Sequence, residues 1–195
     1  VKTDSLGNIQ WERWQGGTDN DYGFVAHQLP GDGYIVSSDT KSFGNGGYDV
    51  NLTRIDVSGN TVWNYYYGDS FQNGCQGLFL TNAGKFLSFG ETEIFMFSPF
   101  EFFIELLDTN GTSRWRRTFG GVNFDAAFSI VENSDQTFVL TGYSNSILPG
   151  PLDLAVVKVD TNGNMLWARS YGAGGIDIGY EIIHSQDNGY LICGH

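Results

Sequence analysis

The sequence predicts an all-β fold, a β-propeller assembled from four-stranded blades of about 52 residues. Three observations carry this. Trp11, Trp63, Trp115 and Trp167 recur at a constant step of 52 residues. Three further columns hold the same register without insertion or deletion: Asp4, Asp56, Asp108 and Asp160; Gly7, Gly59, Gly111 and Gly163; Gly16, Gly68, Gly120 and Gly172. Between these fixed points lie short runs rich in β-branched and aromatic residues, bounded by Gly, Asn, Asp or Ser, with no sustained helical period. A repeat of about fifty residues holding four strands is the arrangement of a propeller blade, since one sheet cannot bury its faces alone.

With strands labelled A to D outward from an axis, the chain starts on C (Val1–Asp4) and D (Asn8–Trp14). It runs through three whole blades and stops after A (Ile178–His184) and B (Tyr190–His195). The third whole blade is expected at Ala126–Glu132, Thr137–Gly142, Leu154–Asp160 and Asn164–Tyr171. By sequence the repeats span 1–51, 52–103, 104–155 and 156–195, one domain or a propeller fragment over 1–195. Two closures stay open. The last half-blade joins the first to give a four-bladed ring, or the piece belongs to a larger ring of seven or eight blades. The tightness of a four-bladed ring leans towards the fragment.

Each fixed residue has a mechanical expectation. An Asp at the end of strand C accepts N–H groups from the following turn, and the Gly three positions on supplies positive φ. The Trp on strand D wedges its large ring between neighbouring sheets. The Gly closing strand D lets the chain turn inward. The small column Gly23, Cys75, Ala127 and Gly179 suits a crowded innermost strand. The second repeat departs twice, with Asp69 for a second Gly and Lys85 for a turn Gly.

Composition narrows the function. A net charge of −12 with only ten Lys and Arg argues against a nucleic-acid partner, which needs clustered cations to displace counterions. The nearest cluster, Arg114, Arg116 and Arg117, splits over two faces of one strand. No run approaches the about 18–20 apolar residues of a membrane helix. Cys75 and Cys193 fall at different repeat positions and read as small buried residues rather than a disulfide. The first residue is Val1, so the chain is expected to be a processed or excised piece.

The run D-x-x-G-x-x-x-W, an aromatic-Gly-Gly, an Asp and a strand closing on Gly appears here as Asp108–Gly121, Asp125 and Phe138–Gly142. It resembles the repeat of large secreted bacterial propeller proteins, many with a C-terminal type IX sorting domain, and is similar to the tryptophan-docking motif of quinoprotein-type propellers. The resemblance implies a scaffold at the cell surface, outside the cell or in the periplasm, that binds a protein or a glycan and catalyses nothing. The alternatives are a glycan-cleaving or quinoprotein-like enzyme and a purely structural module of a surface protein.

Candidate chemistry follows from the columns. Asp21, Asn73, Asp125 and Asp177 precede the inner strand, where a ring of carboxylates would hold a hard cation such as Ca2+, or each would cap its own Gly-rich loop. Asp49, Glu101 and Asp153 form a second such column. Asp160–Asn164 lacks the Gly and Glu positions of a calcium loop, so neither a metal nor a cofactor is expected there. Among 22 Asp and Glu some pair will meet the roughly 5–9.5 Å of a glycosidase by accident, so no catalytic residue is assigned. His27 falls in an apolar column, and the three histidines form no triad or metal spacing. The B–C loops vary most. Phe43, Phe95 and Ile147 share one apolar column, while Met96, Phe97 and Leu148 exceed it and are candidates for a binding surface. Asn51-Leu52-Thr53 and Asn110-Gly111-Thr112 match the glycosylation pattern.

Overall fold

A computed structural model describes residues 1–31, 33–93, 95, 99–121, 123–147 and 150–195; among these it has sixteen strands and no helix. The chain divides into two compact units, Val1–Asn73 and Gly74–His195.

The first unit holds β1 (Lys2–Thr3), β2 (Ile9–Trp11), β3 (Asp21–Gln28), β4 (Tyr34–Thr40), β5 (Asp49–Ile55) and β6 (Thr61–Tyr67). β3 to β6 form one antiparallel meander in chain order, and β1 pairs with β2 alone. β5 is buried along its whole length, whereas β6 alternates between exposed and half-buried positions. That asymmetry follows from place: a strand flanked on both sides is buried at polar Asn51, Thr53 and Arg54 as well as at Val50, Leu52 and Ile55, and an outermost strand is not. β1 and β2 are shorter than the expected Val1–Asp4 and Asn8–Trp14. Lys2 pairs with Trp11 and Thr3 with Ile9, and Glu12–Trp14 lie outside the ladder.

The second unit continues with β7 (Asn73–Leu80), β8 (Phe86–Glu93), β9 (Phe100–Leu107) and β10 (Ser113–Phe119) as one sheet. β11 (Asp125–Glu132), β12 (Phe138–Ser144), β13 (Asp153–Val159) and β14 (Met165–Tyr171) form the next, and β15 (Gly179–His184) pairs with β16 (Tyr190–Gly194). The sheets pack face to face. Leu87, Phe102, Ile104, Leu106 and Phe119 of one meet Ala127, Ile130, Phe138, Leu140, Val157 and Val159 of the next, and Val139 and Val156 meet Ile182 of the last hairpin. Removing such side chains from water is the main stabilising term, at about 1.5–3 kcal/mol for each large apolar group.

One device recurs in both units. The Trp11 Nε1–H donates to the Val57 carbonyl at 3.0 Å, and the Trp115 Nε1–H to the Thr161 carbonyl at 3.1 Å. Each acceptor lies in the Asp-x-x-Gly turn of the following repeat. A Cβ on Gly59 would stand 2.8 Å from the Trp11 ring, and one on Gly163 2.7 Å from the Trp115 ring. The Gly column therefore serves twice, giving φ of 84° and 77° and leaving room for the preceding tryptophan. The Asp of the same turn organises its backbone. Asp56 accepts from the N–H groups of Ser58 and Asn60, both at 2.8 Å, and from the Asn60 amide at 3.0 Å. Asp4 and Asp160 repeat the pattern through Asn8 and Asn164. Thr112 stands where those asparagines do, and there Asp108 pairs with Arg114 instead.

The strand-A bulge is not visible in the alternation pattern. Register slips by one at Gly23/Val25, Ala127/Ser129 and Gly179/Glu181. Opposite two of these slips stand Gly142 and Gly194, where a Cβ would approach the Ala126 and Ile178 carbonyl oxygens to 1.9 and 1.8 Å. The bulge turns Phe24 and Tyr180 outward, at 47% and 48% exposure. Lys85 is tolerated because the left-handed position of that turn is one residue earlier, at Gly84, Gln136 and Asn188. Strand B of the third blade extends to Ser144, since Ser144 still pairs with Asp125 and Asp153. Cys75 is buried and Cys193 exposed, so the expectation of two buried thiols fails at Cys193 on the C-terminal hairpin β15–β16. The terminal hairpins are two separate two-stranded sheets, and no closed ring is formed among the described residues.

Candidate functional site

The acidic columns sit at Gly-rich loops. Asp21 accepts the Gly17 N–H at 3.0 Å, the Ser42 hydroxyl at 2.7 Å and the Thr40 hydroxyl. Asp125 accepts the Gly121 N–H at 3.3 Å and the Ser144 hydroxyl, and Asp177 the Ala173 N–H at 3.3 Å. Burial opposes the charge at both Asp21 and Asp125, but the outcomes differ. At half-buried Asp21 the Thr40 and Ser42 hydrogen bonds prevail and hold the carboxyl below its usual value. At fully buried Asp125 desolvation prevails and pushes it up. The second column lies close by. A Cβ on Gly172 would stand 2.3 Å from an Asp153 oxygen and 2.8 Å from an Asp177 oxygen, so this glycine makes room for two carboxylates. Burial raises Asp49, whose Oδ1 has no hydrogen-bond partner. No group of three His, Cys, Asp or Glu side chains that would hold a metal occurs among the described residues.

The loop candidates separate. Phe95 is 58% exposed, whereas Ile147 of the same column packs on the core. Met96, Phe97 and Leu148 lie outside the described residues. Phe43 is 43% exposed and lies 5.4 Å from the Tyr66 ring.

That pair borders a cavity of about 270 Å3 on one face of the β3–β6 sheet. Trp14, Tyr22, Phe43 and Tyr66 supply aromatic surface, and Ser38, Asn51, Asn64 and Asp21 supply polar atoms. Strand register makes the polar set contiguous, because Ser38 pairs with Asn51 and Asn51 with Tyr66. The Asn51 amide donates to the Ser38 hydroxyl at 3.1 Å and to the Thr53 hydroxyl at 3.2 Å. Thr53 donates to Asn64 Oδ1 at 2.8 Å, which leaves the Nδ2 hydrogens as the donors Asn64 can offer. Trp14 is 93% exposed.

The second unit carries an aromatic row at its bulges. Tyr143, Phe128, Tyr180 and His195 follow one another with ring centroids 5.7, 5.6 and 5.5 Å apart. Burial pushes the neighbouring Glu91 carboxyl up, against a hydrogen bond from Gln76. Burial, with the charges of Glu91 and Asp125, takes the Tyr143 phenol to about 12. The arginine cluster is engaged locally: Arg114 with Asp108, Arg116 over Phe103 at 5.1 Å and Arg117 over Trp115 at 5.9 Å. His27 is half-buried, and His184 Nε2 lies 3.0 Å from the Glu132 carbonyl oxygen. Asn51 is 6% exposed, a poor glycosylation acceptor, while Asn110 is exposed.

Sequence reasoning did not single out Trp14, Tyr22, Asn64 or Tyr66, and it read Asn51 only as a match to the glycosylation pattern. A signal for two of them exists, because Trp14, Tyr66, Thr118 and Ser170 share one column, large and aromatic only in the first two places. The strands and sites define the class, an all-β repeat protein of four-stranded antiparallel meanders. No protein-family model matches the chain, and no curated protein matches its sequence. No helix among the described residues is long and apolar enough to cross a membrane.

Proposed function

We propose that the chain is a β-propeller, or a portion of one, working outside the cell or at its surface as a non-catalytic scaffold that binds a protein or glycan. The propeller reading draws support from the 52-residue phase, from strands C buried on both faces, and from each docked tryptophan's bond to the next repeat's turn. The extracellular setting rests on the resemblance of the repeat. The observation that carries the binding role is Phe95, 58% exposed on the B–C loop, the segment that differs most between the repeats. Asp21, Asp125 and Asp177 accept N–H groups of their own Gly-rich loops, which supports a structural role for them.

Two measurements test this. Small-angle scattering and light scattering on the 195-residue chain should give a flat disc or disc segment of defined mass; an elongated rod would overturn the propeller. Immobilised chain should retain a glycan or an extracellular protein from defined panels. Turnover of aryl glycosides that is lost in Glu91→Gln would replace the scaffold by an enzyme.

A further inference from the structure

We propose that the junction of the first two repeats holds a calcium ion between the carboxylates of Asp49 and Asp69. The inference does not depend on the scaffold reading above. Its first ground is a buried carboxylate oxygen without a partner. Asp49 is fully buried, and its Oδ2 accepts the Asn45 N–H at 2.7 Å, but its Oδ1 has no hydrogen-bond partner. That oxygen is turned towards Gly68 and Asn73: a Cβ on Gly68 would stand 1.7 Å from it and 3.0 Å from Asn73 Nδ2. Asn73 in turn donates to Asp69 Oδ1 at 3.2 Å. Neither carboxylate has an ion pair with Lys or Arg among the described residues. Burying a carboxylate away from any opposite charge is costly, so the site favours whatever brings positive charge to it.

The repeats supply the second ground. Asp69 stands where its siblings are Gly17, Gly121 and Ala173, and Asn73 where they are Asp21, Asp125 and Asp177. The repeat that loses a carboxylate from the second column thus gains one four positions earlier. A pair of acidic side chains is kept at each following junction as well. Asp125 feels the charge of Glu101, as Asp49 feels that of Asp69. A Cβ on Gly172 would stand 2.3 Å from Asp153 Oδ1 and 2.8 Å from Asp177 Oδ2, and this Asp153 oxygen again has no hydrogen-bond partner. Capping a loop needs one carboxylate. Keeping a second beside it adds repulsion unless a cation lies between them.

The donor atoms select the ion. Every group at the junction that could ligate offers oxygen, which suits a hard cation, and calcium takes about six to eight oxygens that include carbonyls and water. Two carboxylates therefore suffice when amides and backbone complete the set. Asp69 accepts the Phe71 N–H and the Asn73 amide on Oδ1, which leaves its Oδ2 for the ion. Asn45 donates its Nδ2 to the Gly68 carbonyl at 3.1 Å, which leaves Asn45 Oδ1 as an acceptor. Asp69 is exposed, so water can fill the remaining places.

The test uses the whole 195-residue chain, stripped with EGTA, with CaCl2 as the probe and NaCl at matched ionic strength as the control. Binding is read by calorimetric titration and by the NMR amide signals of Asn45, Gly68 and Asp69. A Kd of about 10−4–10−3 M, the range of extracellular calcium modules, is expected. At about 10 mM CaCl2 the three amides should shift and Tm should rise by roughly 3–10 °C. Asp49→Asn and Asp69→Asn, which keep side-chain size, should each weaken binding at these amides at least about tenfold. In EGTA both variants should be folded by circular dichroism and Asp49→Asn no less stable than wild type, so that lost binding is not lost fold. No shift of the three amides by about 10 mM CaCl2, an equal shift in both variants, or an equal effect of NaCl overturns the site. Calcium that moves only the amides around Asp125 or Asp177 overturns it too. The scaffold reading stands or falls separately, on the ligand panels.

Discussion

Replacing Gly59 with Ala tests the tryptophan-docking device directly, because the chain contains its own control. Gly7 and Gly59 occupy the same column in the same unit, and both have φ of +84°. A Cβ on Gly7 meets nothing within 4 Å, whereas one on Gly59 falls 2.8 Å from the Trp11 ring. Gly7→Ala therefore isolates the cost of a left-handed alanine, about 1–2 kcal/mol. Gly59→Ala adds displacement of a ring that also donates to the Val57 carbonyl, an overpacking term of about 1–3 kcal/mol. The expected total is about 2–5 kcal/mol, a fall of several degrees in Tm at about 2–4 °C per kcal/mol for a chain of this size. Urea unfolding of both variants gives the difference, and the Trp11 indole N–H resonance reports the lost hydrogen bond. In a Trp11→Ala background the Gly59→Ala cost should fall to the Gly7→Ala level. Equal costs for the two single variants, or no coupling to Trp11, would refute the docking account.

Other outcomes follow from the same geometry. Gly179→Ala should destabilise by about 1–3 kcal/mol, since its Cβ would stand 2.2 Å from the Thr141 hydroxyl, while Gly23→Ala, with open space around it, should be close to neutral in denaturant titration. Ile104→Ala should cost about 2–5 kcal/mol by the same method, because Ile104 is fully buried between two sheets. Thiol labelling of the folded chain should modify Cys193 alone, with Cys75 reacting only in denaturant. The carboxylates should split by pH. Hydrogen bonds from Asn60 lower Asp56 in the fold, so its contribution is full above about pH 4 and is lost as pH falls through the lowered value. Burial raises Asp49, so the fold favours its neutral form and loses stability as pH rises from the unfolded value through the raised one. Asp56→Ala should thus be less stable than wild type at pH 7 and closer to it near pH 3, whereas Asp49→Asn should gain at pH 7 and lose that gain near pH 3. The same pH trend in both would contradict the assigned causes.

The strands were legible because their signal is local. Alternation, turn residues and the 52-residue step put β11 to β14 within two residues of their observed bounds at every end. The bulge was not, because it depends on which carbonyl faces Gly142 and Gly194 across the pair, and a one-residue slip leaves no mark on alternation read along one strand. The role of Gly59 was half legible. Its positive φ follows from the Asp-x-x-Gly turn, but the ring above it comes from Trp11, 48 positions earlier.

The candidate site was hidden for a related reason. Reading the repeat for what stays constant finds the residues that every blade needs, and those are engaged on loops and on docking the next turn. A ligand site on one blade has to be built from positions that packing leaves free to differ. The column of Trp14, Tyr66, Thr118 and Ser170 is of this kind, and its two aromatic members meet at one cavity although they come from successive repeats. Ser38 and Asn51 are similar, polar in the first blade where the third has Gly142 and Ala155. Function in such a chain is thus to be sought where one repeat breaks its siblings' pattern on several adjacent strands of the same face. On the β3–β6 sheet that search has to discount one face, because the columns of Gly23, Val36, Phe43 and Asn64 hold Ala127, Leu140, Ile147 and Ala168 in the third blade, where they pack against the preceding sheet.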